Sequence, residues 1–173
     1  MAILPILIAP NPRLKIKAKK VSKVDGEILK LMNDMVETME SANGIGLAAP
    51  QVGVSKRIIV VDISSVKENA APLRMANPEI IWASDEEDLR EEGCLSLPDQ
   101  YAEVLRPSVV RVRYVDHENE IREIEAQGIL SVCIQHEIDH LEGTLFVDYL
   151  SALRRKMIIR KLQKTQKLAG AEV

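Results

Sequence analysis

Gln135-His136-Glu137-Ile138-Asp139-His140-Leu141-Glu142-Gly143 decides how this chain is read, because it sets His-Glu-x-x-His within an apolar helical pattern. On an α-helix, residues four apart share a face. His136 and His140 would therefore aim two imidazoles at one point, an arrangement suited to a divalent transition metal. Glu137, beside that point, is placed to take a proton from a water activated there. The helix is predicted from about Gln127 to Glu142, with Gly143 just beyond its end. The competing reading is a core helix whose histidines are satisfied by hydrogen bonds. The acid between the two histidines favours a metal-dependent hydrolase.

The same helix carries Ile129, Val132 and Cys133 at i, i+3 and i+4, and His136 and His140 continue that face. Core packing accounts for such a stripe in general. Here it would run up to the metal, so it also predicts an apolar substrate pocket, with Cys133 lining it and not ligating.

Two histidines leave a catalytic metal one protein ligand short. No His follows His140, Glu142 is too close on the helix to wrap back, and Glu172 is almost the last residue. The better candidate lies upstream. Cys94 stands in Glu91-Glu92-Gly93-Cys94-Leu95-Ser96-Leu97-Pro98, a Gly- and Pro-flanked turn from which a thiolate can reach out. One Cys and two His make three ligands and leave an open position. The third histidine, His117, falls in a hairpin turn and is expected to be solvated.

The 173 residues fit one domain, 1–173, and 46% hydrophobic residues suffice for a core that 3% aromatics make mainly aliphatic. A net charge of −3 argues against a general nucleic-acid binder. Two cysteines are too few for a disulfide framework, and no apolar run approaches membrane-spanning length, so a cytoplasmic protein is expected. The apolar N-terminus lacks a basic region and is broken by Pro5 and Pro10, which suggests an extended docking segment.

Asp25 can cap a helix over about 26–42 that buries Ile28, Leu31, Met32, Met35 and Met39 and ends at Asn43-Gly44. Arg57–Ile63 is a buried strand candidate, and Arg74–Trp82 a weaker one interrupted by Asn77-Pro78. Ser108–Val115 pairs naturally with Glu120–Glu125 across Asp116-His117-Glu118-Asn119. The acidic run Asp85–Asp88 is expected as a solvated loop. A last helix, about 149–168, carries Arg154, Arg155, Lys156, Arg160, Lys161, Lys164 and Lys167, with Leu150, Leu153, Met157 and Leu162 as its apolar side. Gly44-Ile45-Gly46-Leu47-Ala48-Ala49-Pro50-Gln51-Val52-Gly53 is no phosphate loop, since no Lys-Ser/Thr follows its glycines. Its small residues allow close backbone approach, and Gln51 offers an amide donor to a developing oxyanion.

Three motifs thus stand in order: Gly44–Gln51, Glu92-Gly93-Cys94-Leu95-Ser96, and Gln135–His140. Together with Pro10-Asn11-Pro12-Arg13-Leu14, they resemble bacterial-type peptide deformylase over nearly the whole chain. The resemblance implies an α+β fold, with the motif helix packed among antiparallel sheets between N- and C-terminal helices. It implies removal of the formyl group from the N-terminal formylmethionine of nascent chains. It also implies Cys94, His136 and His140 as ligands of one divalent ion, Fe²⁺ natively, with Zn²⁺, Ni²⁺ or Co²⁺ as substitutes. Glu137 is then the proton carrier, and Gln51 with the N–H of Leu95 holds the oxyanion. Ile45 and Gly46 would pair with the extended peptide, and Ile129, Val132 and Cys133 would receive the methionine side chain. Arg90 lies where some members carry an apolar pocket residue. The basic C-terminal helix would meet the ribosome near its exit tunnel, no membrane is involved, and a monomer is expected. Two readings compete: a metalloendopeptidase of the same chemistry, and a non-catalytic, metal-stabilised module on the ribosome.

Overall fold

Asp25 starts the first helix by accepting the N–H of Ile28 at 2.9 Å, and Asn43, at φ 58°, turns the chain away after its end. The computed structural model describes residues 2–171. Helix α1 (Gly26–Ser41) buries Ile28, Met32, Met35 and Met39, so the methionine stripe is core. Of the expected terminating pair, only Asn43 is left-handed. Gly44 is needed for close approach, because a Cβ there would lie 2.6 Å from the Leu95 side chain.

Strands β1 (Gly46–Ala48), β2 (Ile58–Val61) and β3 (Leu73–Ala83) follow. Next come β4 (Glu87–Cys94), β5 (Leu97–Pro107), β6 (Val109–Val115) and β7 (Ile121–Gln127). Helices α2 (Gly128–Leu141) and α3 (Ala152–Ala171) complete the described chain. The five-stranded antiparallel sheet has the order β1-β2-β3-β6-β7, and β4 and β5 form a separate two-stranded sheet. This is the α+β arrangement expected.

β2 is buried along its whole length because both its faces are covered. Ile59 and Val61 pack with Met75, Val112, Ile134 and Leu141 under α2, while Ile58 and Val60 pack with Met32, Met35 and Met39 under α1. The sheet is thus sandwiched, with α2 packed on one face and α1 on the other. β6 alternates buried Val110, Val112 and Tyr114 with exposed Arg111 and Arg113, and pairs with β7 from Val115↔Ile121 to Val109↔Gln127. In the turn between them, Asp116 accepts the N–H groups of Glu118 and Glu120, and His117 is exposed.

Several expected boundaries shift. β3 runs straight through Asn77-Pro78: its pairing with β6 slips between Ala76 and Glu79, which accommodates a proline without N–H, and the Asn77 amide bonds both backbone groups of Val21. The acidic run is not all loop, because Glu87 and Asp88 open β4. The β4–β5 hairpin was not anticipated, since Glu-Asp-Leu-Arg-Glu-Glu-Gly-Cys has little intrinsic strand preference. The last helix begins at Ala152 and not 149, because residues Phe146–Tyr149 form a separate short turn. Its apolar side is Ile158 and Leu162, packed on Leu14, Val104 and Phe146, whereas Leu153 and Met157 are exposed.

Candidate metal centre

Helix α2 carries His136, Glu137 and His140, all three buried, and His136 and Glu137 line a cleft. Cys94 arrives from the other sheet, at the end of β4, where the chain turns through Leu95 and Ser96 into β5. Its Sγ lies 3.3 Å from His140 Nε2, and one ligand atom from each of Cys94, His136 and His140 falls within 4.8 Å of the others. The expected trio is therefore brought together. Glu142 points away to Arg57 and Lys17, at 2.8 and 3.2 Å, and Glu172 lies outside the described residues.

The imidazole of His136 is oriented from behind. Its Nδ1 is 2.9 Å from Glu92 Oε1. Glu92 in turn receives two bonds from the Arg106 guanidinium, Nε to Oε2 at 2.6 Å and an Nη to Oε1 at 2.9 Å. The remaining arm of Arg106 reaches Asp139 at 2.8 Å, and the Tyr149 hydroxyl donates to the same Asp139 oxygen at 2.8 Å. A carboxylate on the far nitrogen fixes the tautomer of a ligating histidine and strengthens it as a donor. Sequence reading missed this chain of Glu92, Arg106, Asp139 and Tyr149. One signal was available: Ala102, Val104 and Arg106 alternate inward on β5, so Arg106 is a charge at a core position.

The charges of the site fit a cation. Burial acts against a proton on His136, but the carboxylate of Glu137, the Cys94 sulfur and Glu92 outweigh it and raise its pKa well above the usual value. The same negative groups favour a divalent ion at the three donors. Burial and the charge of His136 push His140 well below its usual value, which leaves a neutral imidazole, the ligating form. Burial also raises the Glu137 carboxyl to about 7, opposed by His136 and assisted by Glu92. Glu92 itself is held below the usual range, because His136 and Arg106 together outweigh its burial. His140 Nδ1 and Glu137 Oε1 are buried without a hydrogen-bond partner among the described residues. A set of one sulfur and two imidazole nitrogens suits zinc or iron.

The cleft above these groups has a volume of about 810 Å³. Ile129, Val132 and Cys133 line it beside Ile45 and Gly46. Burial raises the Cys133 thiol far above its usual pKa, and its sulfur is not part of the Cys94, His136 and His140 cluster. Gly46 makes a close approach: a Cβ there would overlap the Glu137 carboxylate. The carbonyl of Ile45 is already engaged by the N–H of Asp62 at 2.8 Å, while β1 as a whole remains an edge strand. Gln51 sits in a short turn, Ala49–Val52, with its Oε1 accepting from Ala48 N–H at 2.9 Å. Its Nε2 donates to Ser96 Oγ at 3.1 Å and lies 3.5 Å from Cys94 Sγ, so its donor end stands beside the trio. Leu95 lines the cleft and packs against Gly44, and Arg90 stands at the rim, half-exposed, 3.9 Å from Asp88.

Comparison with known proteins covers nearly all of this architecture. A family model described as polypeptide deformylase matches residues 3–156. The peptide deformylase of Methylocella silvestris is 51% identical over 175 residues, spanning 99% of this chain and 89% of the relative. The crystal structure of peptide deformylase from Ehrlichia chaffeensis superposes with a TM-score of 0.92 at 40% identity, covering 97% of this chain and 99% of that one. The same organism's enzyme in complex with actinonin gives a TM-score of 0.91 at 43% identity, covering 95% and 98%.

Proposed function

The chain belongs to the polypeptide deformylase family, and from that membership together with the site we infer that it hydrolyses the N-formyl group of nascent polypeptides that begin with formylmethionine. The observation that carries this reading is the convergence of Cys94, His136 and His140 beside the buried Glu137. These three side chains hold one divalent ion, Fe²⁺ natively and Zn²⁺, Ni²⁺ or Co²⁺ as replacements. A bound ion would supply Lewis acidity there, the property that activates water near neutral pH.

The residues of the chain do the rest. Glu137 accepts the proton of the attacking water and passes it to the departing amine, so formate and a free N-terminus result. Gln51 Nε2 and the N–H of Leu95 stabilise the negative charge on the formyl oxygen. The peptide lies along the open edge at Ile45 and Gly46, and the methionine side chain fills the space between Ile129, Val132 and Cys133. Arg90, at the rim, bears on the pocket's preference at the first side chain. We read residues 1–173 as one catalytic domain, acting as a monomer in the cytoplasm. The basic face of α3 serves to approach ribosomal RNA, since seven Lys and Arg side chains and no acid lie between 149 and 171. No helix among the described residues is long and apolar enough to cross a membrane.

The test is formate release from formyl-Met-Ala-Ser by anaerobically purified protein, with metal assayed on the same sample. Formate is expected in proportion to bound metal, and the unformylated peptide should stay intact. Full metal occupancy without formate would overturn the reading. Cleavage of internal peptide bonds would favour an endopeptidase.

A further inference from the structure

Gln51 and Cys94 reach the cleft from different sheets. The turn that carries Gln51 follows β1 of the five-stranded sheet, whereas Cys94, Leu95 and Ser96 close the β4–β5 hairpin. Their backbones are joined by a third piece of chain. The N–H of Leu7 donates to the carbonyl of Gln51 at 2.7 Å, and the N–H of Ala9 donates to the carbonyl of Ser96 at 2.8 Å. The two donors lie two residues apart in sequence, where the chain enters the turn that the N–H of Asn11 closes on the carbonyl of Ile8 at 3.0 Å. Three residues therefore span the gap between the two halves of the site.

The segment is itself firmly held. Ala9 is fully buried against the cluster of Leu97, Val104 and Phe146, and Leu7 packs on the same cluster. Beyond it, Asn11 caps the short turn Pro12–Lys15, and the Arg13 guanidinium donates to the carbonyl of Gly53 at 2.7 Å. The Gln51 turn is thus gripped at two points, by Leu7 on Gln51 and by Arg13 on Gly53. Neither bond involves the three metal-ligating side chains.

We propose that residues 7–13 form a positioning brace, in which the backbone bonds from Leu7 and Ala9 set the distance between the Gln51 amide and the Cys94–Ser96 turn. The Gln51 side chain is fixed at both ends, Oε1 by Ala48 and Nε2 by Ser96, so displacement of either turn moves the amide relative to Cys94. This inference rests on the reading of Gln51 and Leu95 as oxyanion donors. A misplacement of about 1 Å in such a constellation costs up to about 100-fold in rate.

Three variants test it. Leu7→Pro removes the N–H and the side chain, Leu7→Ala removes only the side chain, and Arg13→Met removes the grip on Gly53. Each is scored by kcat and KM on a formylated peptide, by metal per chain, and by the side-chain amide resonance of Gln51 in metal-free ¹⁵N-labelled protein. Relative to Leu7→Ala, Leu7→Pro should lose about 10- to 100-fold in kcat with KM nearly unchanged. It should keep its metal and shift the Gln51 resonance. Equal kcat and an equal resonance in the two Leu7 variants would overturn the brace. Should Leu7→Pro fail to fold, Arg13→Met decides: a shifted Gln51 resonance with lowered kcat supports the brace, and wild-type values for both overturn it. A Gln51→Ala variant with undiminished kcat would instead remove the oxyanion reading, while the resonance test of the brace still stands.

Discussion

Nδ1 of His136 and Oε1 of Glu92 are 2.9 Å apart, although the two residues are separated by 44 positions in sequence. On the proposed reading this contact would orient the His136 imidazole as a ligand, and the same carboxylate takes two bonds from Arg106. Losing the carboxylate frees the ring and leaves Arg106 buried without its main partner. Such outer partners are worth about 10- to 100-fold in metal affinity. Glu92→Ala should therefore release its metal at correspondingly lower chelator concentration. It should also lose stability by about 3–5 kcal/mol, the usual cost of stranding one member of a buried pair. Chelator titration and urea unfolding measure the two effects separately. Wild-type metal retention would show that His136 needs no partner.

Glu137→Gln keeps the shape of the side chain and removes its capacity to carry a proton. Turnover should fall by about 10²- to 10⁴-fold, with fold and metal content retained. Retained turnover would refute the proton-carrier role.

The same substitution has a consequence for pH and stability. The Glu137 carboxyl ionises at about 7 in the fold, against an ordinary value of 4.5. A raised carboxyl pKa favours the folded state while the group is protonated. Its contribution is complete below about pH 4.5 and is lost as pH rises through about 7. Metal-free wild-type protein should therefore lose up to about 3 kcal/mol relative to metal-free Glu137→Gln across that window. Urea unfolding of both proteins at several pH values reads this directly, and a pH-independent difference would contradict it.

Gly46→Ala adds one methyl group, and that methyl meets the Glu137 carboxylate. The three ligating side chains are untouched, so metal content should remain at one ion per chain while kcat falls by about 100-fold through displacement of the carboxylate. A crystal structure of the variant would show whether β1 or Glu137 has moved. Wild-type kcat would mean that the contact is relieved without consequence.

Truncation after residue 153 removes the basic face of α3 together with Ile158 and Leu162, which cover Leu14, Val104 and Phe146. Ribosome binding by the intact chain should weaken steeply with added salt, and the truncated chain should show a weaker and flatter dependence. The charge-only variant Lys156→Gln/Arg160→Gln/Lys164→Gln separates charge from packing, since it leaves the apolar side in place. Binding that ignores both salt and these substitutions would remove the RNA hypothesis.

Much of the site was legible because its geometry is local. His136 and His140 share a face by helical spacing alone, and Ile129, Val132 and Cys133 extend that face and line the cleft. The β6–β7 hairpin was legible for the same reason, since alternation and the Asp116–Asn119 turn are encoded within the contiguous stretch Val109–Gln127. β4 was not. Its charged residues carry little preference for a strand, and they adopt one because β5 offers a partner in register from Glu87↔Pro107 to Gly93↔Tyr101.

By itself, then, the sequence determined the motif helix, the residue types able to bind a metal, and the family to which their order points. Only the tertiary structure decided that Cys94 arrives within 3.3 Å of His140, that Glu92 and Arg106 stand behind His136, and that residues 7–9 tie two sheets together. The physical reason is one of range. Helical periodicity and turn chemistry are set by neighbours a few residues away, whereas these contacts join positions 14 to 87 residues apart, where strand register and core packing choose which groups meet.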